Sequence, residues 1–144
     1  MKKHIFTLIF FLALGFVCNG QSSDPLVGSC LAKSGADAKY LKDFRIQLGQ
    51  SATQSDFRYK ANMSLWKNTK YRFTMCNTED SKGELILNIK DDANKLVVSS
   101  FDQKSGKIYP FIDFVCQKSG IYQLSFDFTN GQQGSGVGIV SMVK

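Results

Sequence analysis

The feature that most constrains the fold is the alternation of apolar and polar residues in short runs. Between residues 121 and 128, for example, Tyr122, Leu124, Phe126 and Phe128 alternate with polar side chains. Successive side chains of a strand point to opposite faces, so such a run predicts a strand with one buried face. Strands are also predicted at 44–48, 57–65, 70–76, 85–89, 96–100, 111–116 and 137–143.

The segments between these runs are rich in turn residues. Asn and Asp occupy the breaks at 66–69, 77–83 and 91–95, and the stretch 129–136 contains Gly131, Gly134 and Gly136, which permit positive φ. Eight short strands at near-regular spacing predict an all-β fold, an antiparallel sandwich or jelly roll, over residues 43–144. Residues 21–42 lack the alternation and are predicted to form a lead segment, either one short helix or a loop.

The first twenty residues have the pattern of a secretory signal peptide. The basic start is followed by a 13-residue apolar run at 5–17, which is too short to span a bilayer, and then by a small residue, Gly20. We therefore predict an exported protein, located in the periplasm, on the cell surface or outside the cell. No second apolar run has membrane-spanning length. The bulky Phe16 and Val17 before Cys18 argue against a lipid anchor at that cysteine.

Histidine usage limits the chemistry that the predicted mature chain can perform. The single histidine, His4, lies inside the predicted signal peptide. A chain that begins at Gln21 cannot contain a Ser-His-Asp triad, a Cys-His pair or a histidine-ligated metal. The net charge of +6 comes from scattered lysines rather than a basic run, which argues against a nucleic-acid partner.

Three cysteines remain after the predicted signal peptide, enough for one disulfide and one free thiol. If consecutive strands run up and down, Cys76 and Cys116 end at opposite ends of the sandwich, about 20 Å apart, which is beyond disulfide range. A bridge would then join Cys30 to one of them. We predict Cys30–Cys116, with Cys76 as the unpaired thiol; the alternative is that all three are reduced.

Residues 65–143 resemble the prepeptidase C-terminal domain, a β-sandwich module of secreted bacterial proteins. The similar segments are the turn and strand at 67–74, the apolar strand ending in an aspartate at 84–91, and the strand start at 118–124. The resemblance implies an exported protein of the Bacteroidetes type. That module normally accompanies an enzyme, and no catalytic domain is visible in this sequence. The calcium-binding acidic positions of some relatives are not clearly matched.

Asp91, Asp92 and Asn94 form the densest cluster of oxygen ligands. Calcium takes six to eight oxygens, and a turn of this kind supplies two or three of them. The simpler interpretation is a hairpin turn in which Asp and Asn side chains cap their own backbone. We therefore predict no obligatory cofactor, and calcium is the one metal for which ligands are present.

Aromatic side chains are the other candidates for a binding site. Trp66, Tyr59 and Tyr109 are the candidate ligand-binding residues, since sandwiches often present aromatic platforms to sugars or peptides; the alternative is that these rings belong to the core. Phe101 and Phe111 are further aromatic candidates.

Together these features predict a non-catalytic binding or interaction module of the bacterial cell envelope, with a protein or a glycan as its partner. The first alternative is a carbohydrate-binding module that uses Trp66. The second is a small hydrolase that works with carboxylates such as Glu84 or Asp92, which requires no histidine.

Overall fold

The computed structural model describes residues 24–53 and 56–144 of the chain. It contains eight strands, as predicted, one α-helix and one short 3-10 helix. In chain order the elements are α1 (Pro25–Lys33), β1 (Ala38–Leu48), β2 (Tyr59–Leu65), β3 (Lys70–Asn77), β4 (Leu85–Lys90), β5 (Leu96–Ser99), β6 (Phe111–Val115), β7 (Gly120–Phe128), the 3-10 helix (Thr129–Gly131) and β8 (Gly134–Val143).

The strands form two four-stranded antiparallel sheets. The first sheet has the order β1-β8-β3-β6 and the second β2-β7-β4-β5. Most consecutive strands lie in different sheets, as in a jelly roll, so the predicted all-β sandwich is confirmed. The turns β2–β3, β4–β5 and β6–β7 lie at one end of the sandwich, which we call the short-turn end. The four remaining inter-strand connections lie at the opposite, long-loop end.

The main core lies between the sheets and follows the alternation of the sequence. Leu85, Leu87 and Ile89 of β4 point inward and meet Phe73 of the first sheet. The face of β7 that was predicted to be apolar also points inward. Periodicity in these strands therefore predicted which side chains the sandwich buries.

Helix α1 packs on the outer face of the first sheet, against β3 and β8. The Asp24 side chain caps the helix by accepting a hydrogen bond from the Leu26 backbone N–H at 2.9 Å. Val27 and Cys30 of the helix form a second apolar cluster with Cys76, Val137 and Ile139. The part of the predicted lead segment that the structure describes is therefore helical in its first half.

The predicted disulfide pairing is wrong. Cys30 is bonded to Cys76, with 5.8 Å between the Cα atoms, and Cys116 is the buried free thiol. The physical reason is the face of the sheet that each cysteine occupies. Cys76 points to the outer face, where α1 lies, whereas Cys116 belongs to the core between the sheets. The expectation that Cys30 carries any bridge, and that Cys76 and Cys116 do not pair, agrees with the structure.

The first strand begins earlier than predicted, at Ala38 rather than near residue 43. Side chains from Lys39 to Lys42 are all exposed, so this stretch lacks the alternation from which a strand could be predicted. Its strand structure comes from backbone pairing with β8, from Ala38 opposite Val143 to Leu48 opposite Gly134, with a register shift between Tyr40 and Lys42.

Two glycines that were predicted to serve a turn belong instead to strand β8. Gly131 does adopt a positive φ of 64°, but Gly134 and Gly136 lie in the strand, as does Gly138. Phenylalanine rings of β7 fill the space beside Gly134 and Gly138, and the Cys76 carbonyl and the Leu85 side chain fill the space beside Gly136. A Cβ on Gly138 would lie 2.5 Å from the Phe126 ring. These glycines thus allow close contact between the sheets.

We expect Gly138→Ala to lower the free energy of unfolding by about 1–3 kcal/mol, because the added methyl group must displace the Phe126 ring in a packed core. Chemical denaturation of the variant measures this loss. Gly120→Ala is the matched control, since a Cβ at Gly120 meets no atom within 4 Å. Equal denaturation midpoints for the two variants would contradict the proposed packing role.

The predicted signal peptide, residues 1–20, lies outside the described residues, as do His4 and Cys18. Within residues 24–53 and 56–144, no helix has the length and apolar character needed to cross a membrane.

Candidate functional site

A groove lies on the outer face of the second sheet, towards the long-loop end. Two chain segments rise above the sheet there and leave a groove between them. One wall is the end of the β1–β2 connection, at Asp56 and Phe57, and the other is the β5–β6 connection, residues 100–110. Both walls are held in place by contacts with the strands beneath the groove.

The first wall is fixed by an ion pair between Arg58 and Asp127. The Asp127 side chain is fully buried and that of Arg58 is one-quarter exposed. The Arg58 guanidinium donates to both carboxylate oxygens at 2.8–3.2 Å, and the Arg58 backbone N–H donates to the same carboxylate at 3.0 Å. The guanidinium also donates to the Gly49 carbonyl at 2.6 Å. This arginine therefore ties the β1–β2 connection to strand β7.

The second wall is a small hairpin that continues β5. Phe101 pairs with Ile108 in an antiparallel bridge, and the Asp102 backbone N–H donates to the Lys107 carbonyl at 2.9 Å. Ser100, fully buried at the base, accepts a hydrogen bond from the Leu87 backbone N–H at 2.8 Å through its hydroxyl oxygen. The hairpin is thus anchored to β4, and Phe101 keeps a defined place at the groove.

The groove has a volume of about 590 Å³. Its apolar lining consists of three half-buried side chains and one buried residue of β4: Phe57, Phe101, Ile108 and Ile86. Its polar lining includes carboxylates, a lysine, amides and a hydroxyl group: Asp56, Glu84, Lys82, Gln103, Asn130 and Thr129. A site that combines flat rings with both donors and acceptors is suited to binding an amphipathic polar ligand.

The two carboxylates of the groove have different surroundings. Asp56 accepts a hydrogen bond from the Lys60 ammonium group at 2.6 Å, and this contact lowers the pKa of the Asp56 carboxyl. Glu84 donates its backbone N–H to the Thr129 hydroxyl at 3.0 Å. Among the described residues, the Glu84 side chain forms no ion pair or hydrogen bond, so its carboxylate is available to a ligand.

The structure does not bring Trp66, Tyr59 and Tyr109 together. Trp66 lies at the short-turn end and is 69 % exposed. Tyr59 is partly buried against the main core and contacts Phe126 edge to face. Tyr109 lies at the long-loop end, where the Lys107 ammonium group sits 4.7 Å from its ring centroid. The three rings form no common platform.

Asp91, Asp92 and Asn94 occupy the β4–β5 turn at the short-turn end. The Asp91 carboxylate accepts hydrogen bonds from the Ala93 and Lys95 backbone N–H groups, at 3.0 and 2.9 Å, and so caps the turn. Asn94 has a positive φ of 61°, and Asp92 lies 3.8 Å from the Lys118 ammonium group. Across the described part of the chain, no cluster of three or more Asp, Glu, Cys and His side chains is arranged to hold a metal ion.

The free thiol of Cys116 contacts two polar groups inside the core. The Cys116 sulfur lies 3.2 Å from the Lys118 carbonyl oxygen and 3.6 Å from the Tyr122 hydroxyl oxygen, and that hydroxyl donates to the same carbonyl at 2.6 Å. Burial, followed by the contact with Cys116, raises the pKa of Tyr122 to about 12. The Cys116 thiol is fully buried, so it is not positioned as a nucleophile.

Most residues of the groove could not be recognised from the sequence. Phe101 was singled out as an aromatic candidate, but Phe57 and Ile86 were treated only as strand residues. Asp127 was placed on a polar face because it alternates with Phe126 and Phe128. The position of Asp127 was the one indication in the sequence that it is buried. It lies between two large apolar residues near the end of a strand, and if other residues cover that end, the carboxylate needs a partner.

A scan against protein-family models found no match, and a search of curated proteins found no significant match either. The resemblance to the prepeptidase C-terminal domain stays a prediction from sequence.

Proposed function

We propose that the chain is an exported, non-catalytic binding module whose ligand site is the groove on the second sheet. The observation that carries the proposal is the pair of phenyl rings, Phe57 and Phe101, at a groove whose walls are anchored to the sheet by Arg58 and Ser100. A preformed site with hydrogen-bonding groups loses little conformational entropy when a ligand binds.

The groove favours a short carbohydrate chain over an extended peptide. A peptide that adds a strand needs a free sheet edge, and β4 beneath the groove is paired with β7 on one side and β5 on the other. Recognition must therefore come from side chains. Sugar rings offer an apolar face for Phe57 and Phe101, and their hydroxyl groups can pair with Glu84, Lys82 and Asn130.

The surroundings of the carboxylates support a non-catalytic role. Glu84 and Asp92, the carboxylates considered for a hydrolase, lie at opposite ends of the sandwich and do not act on one bond. The second carboxylate of the groove is Asp56, whose pKa is lowered by Lys60. A general acid for glycoside hydrolysis needs a raised pKa, so Asp56 is not suited to that role.

The test is titration calorimetry or array binding of the chain, residues 21–144, with a panel of oligosaccharides and of peptides. We expect a carbohydrate to bind, and we expect Phe57→Ala and Phe101→Ala to weaken its binding by about tenfold or more, because each removes a ring that the ligand buries. Melting curves check that both variants fold.

Trp66→Ala is the matched control, since this exposed aromatic residue lies at the other end of the molecule. Its affinity should equal that of the unchanged chain. Loss of binding in Trp66→Ala with full binding in Phe57→Ala and Phe101→Ala would refute the proposed site. Cleavage of a bound oligosaccharide would refute the non-catalytic assignment.

A further inference from the structure

Large exposed apolar side chains concentrate at the short-turn end. Trp66 is 69 % exposed, Ile121 59 %, and Leu96 and Val115 49 % each. Trp66 directly follows β2, and Ile121 is the second residue of β7. Leu96 begins β5, and Val115 ends β6. We call these four residues the apolar tip. Single exposed apolar residues are common on proteins, whereas four of the most exposed ones share one end of this small sandwich.

Strand register places the four residues at the same end. Ile121 pairs with Ser64 and Gly120 with Leu65, so Trp66, the next residue, lies just beyond the start of β7. Leu96 pairs with Lys90 at the last position of β4, and Leu96 and Ile121 line one notch of about 510 Å³. Val115 pairs with Lys70 at the start of β3.

Each turn of this end also carries a lysine. Lys67 follows Trp66, Lys95 precedes Leu96, and Lys118 lies three residues before Ile121. The same turns contain two carboxylates. Asp91 caps its own turn, and Asp92 lies 3.8 Å from Lys118. The turns therefore carry three lysines against two aspartates, and Lys67 and Lys95 form no ion pair among the described residues.

The long-loop end has the opposite charge balance. Its connections contain Glu79, Asp80, Glu84 and Asp102 as well as Asp56. The cations of the same connections, Arg58 and the lysines at positions 82, 104 and 107, are one fewer than these carboxylates, and Arg58 is paired with the buried Asp127 of β7. The described part of the molecule is thus electrically asymmetric along its strand axis, and an anionic surface would orient it with the short-turn end foremost.

We propose that the apolar tip docks on an anionic lipid bilayer, with Trp66 and Ile121 entering the interface and Lys67, Lys95 and Lys118 facing the headgroups. The apolar side chains stand on separate turns and strand ends rather than on one flat face. A fluid interface fills the spaces between them, whereas a folded protein would need a matching surface for each. Tryptophan beside lysine is the combination that membrane interfaces favour.

This inference does not depend on the carbohydrate groove. The groove opens on the outer face of the second sheet towards the long-loop end, so docking through the short-turn end leaves it exposed to solvent. A failure of lipid binding would leave the proposed groove function intact, and the reverse also holds.

Trp66 is the only tryptophan in the chain, so its fluorescence reports directly on the tip. The test adds vesicles of phosphatidylcholine alone, or of equal parts phosphatidylcholine and phosphatidylglycerol, to the chain, residues 21–144. We expect a blue shift of Trp66 emission and co-sedimentation with the anionic vesicles only, and we expect high salt to weaken both.

Variants that retain Trp66 identify the surface. Ile121→Ser should weaken partitioning by about tenfold, and Lys67→Gln or Lys95→Gln by about fivefold each. Phe111→Ser and Lys107→Gln, at the long-loop end, are the matched controls and should bind as the unchanged chain does. No blue shift with anionic vesicles overturns the proposal. A shift with polyglutamate but not with vesicles also overturns it and assigns the tip to an acidic protein partner.

Discussion

Replacing Asp127 with alanine is expected to lower the free energy of unfolding by about 3–5 kcal/mol, because it leaves the Arg58 guanidinium without its partner beneath the β1–β2 connection. The loss exceeds that of an ordinary surface ion pair, since the Asp127 side chain is fully buried and also accepts a hydrogen bond from the Phe128 backbone N–H at 2.7 Å. Urea denaturation of the variant measures the change.

The double variant Arg58→Leu/Asp127→Leu separates charge burial from packing. If the cost of the single variant comes from an uncompensated cation, removing both charges should recover part of the lost stability. The same variants test the groove, because Arg58 holds the wall that carries Phe57. Full stability of Asp127→Ala would show that the ion pair does not hold this connection.

Removal of the Cys30–Cys76 disulfide is the second change with a large expected effect. The bridge closes a loop with a sequence separation of 46 residues, and the chain-entropy relation then gives a stabilisation of about 4 kcal/mol. We expect Cys30→Ala/Cys76→Ala to unfold at a correspondingly lower denaturant concentration. Helix α1 should lose protection from amide exchange first, since the bridge joins it to β3.

Reduction provides the matched control. Dithiothreitol should lower the stability of the unchanged chain towards that of the double variant and should leave the double variant itself unaffected. Peptide mapping without reduction should recover one linked pair that contains Cys30 and Cys76. A linked pair that contains Cys116 would contradict the pairing described here.

Local alternation predicted the strands, apart from the first residues of β1, but it did not predict how the strands associate. The core-facing residues of β4 and β7 follow from a period of two, which is a property of one strand. The disulfide pairing depends on which face of the first sheet helix α1 packs against, and this is decided by tertiary packing rather than by the local sequence. The alternation within β3 did indicate part of the pairing. Phe73 and Met75 point into the core, so Cys76, the next residue, points to the outer face of the sheet.

The groove was harder to predict because its walls are irregular connections without a period. Residues 49–53 and 56–58, and residues 100–110, cover one end of a sheet face that alternation alone assigns to solvent. Ile86 and Asp127 are buried by that cover. Trp66 was predicted to lie in a turn, with its ring either exposed as a binding platform or packed on the core. The structure places the ring in solvent, because its neighbours Leu65 and Tyr71 already fill the adjacent core.

The position of β8 has a consequence for how the molecule is made. This last strand lies between β1 and β3, which do not pair with each other, so the first sheet has no continuous order until β8 is available. The first sheet therefore cannot form before β8 has been synthesised. Its pairing joins segments that are far apart in sequence, from Ala38 opposite Val143 onward, and sheets with such long-range pairing fold slowly.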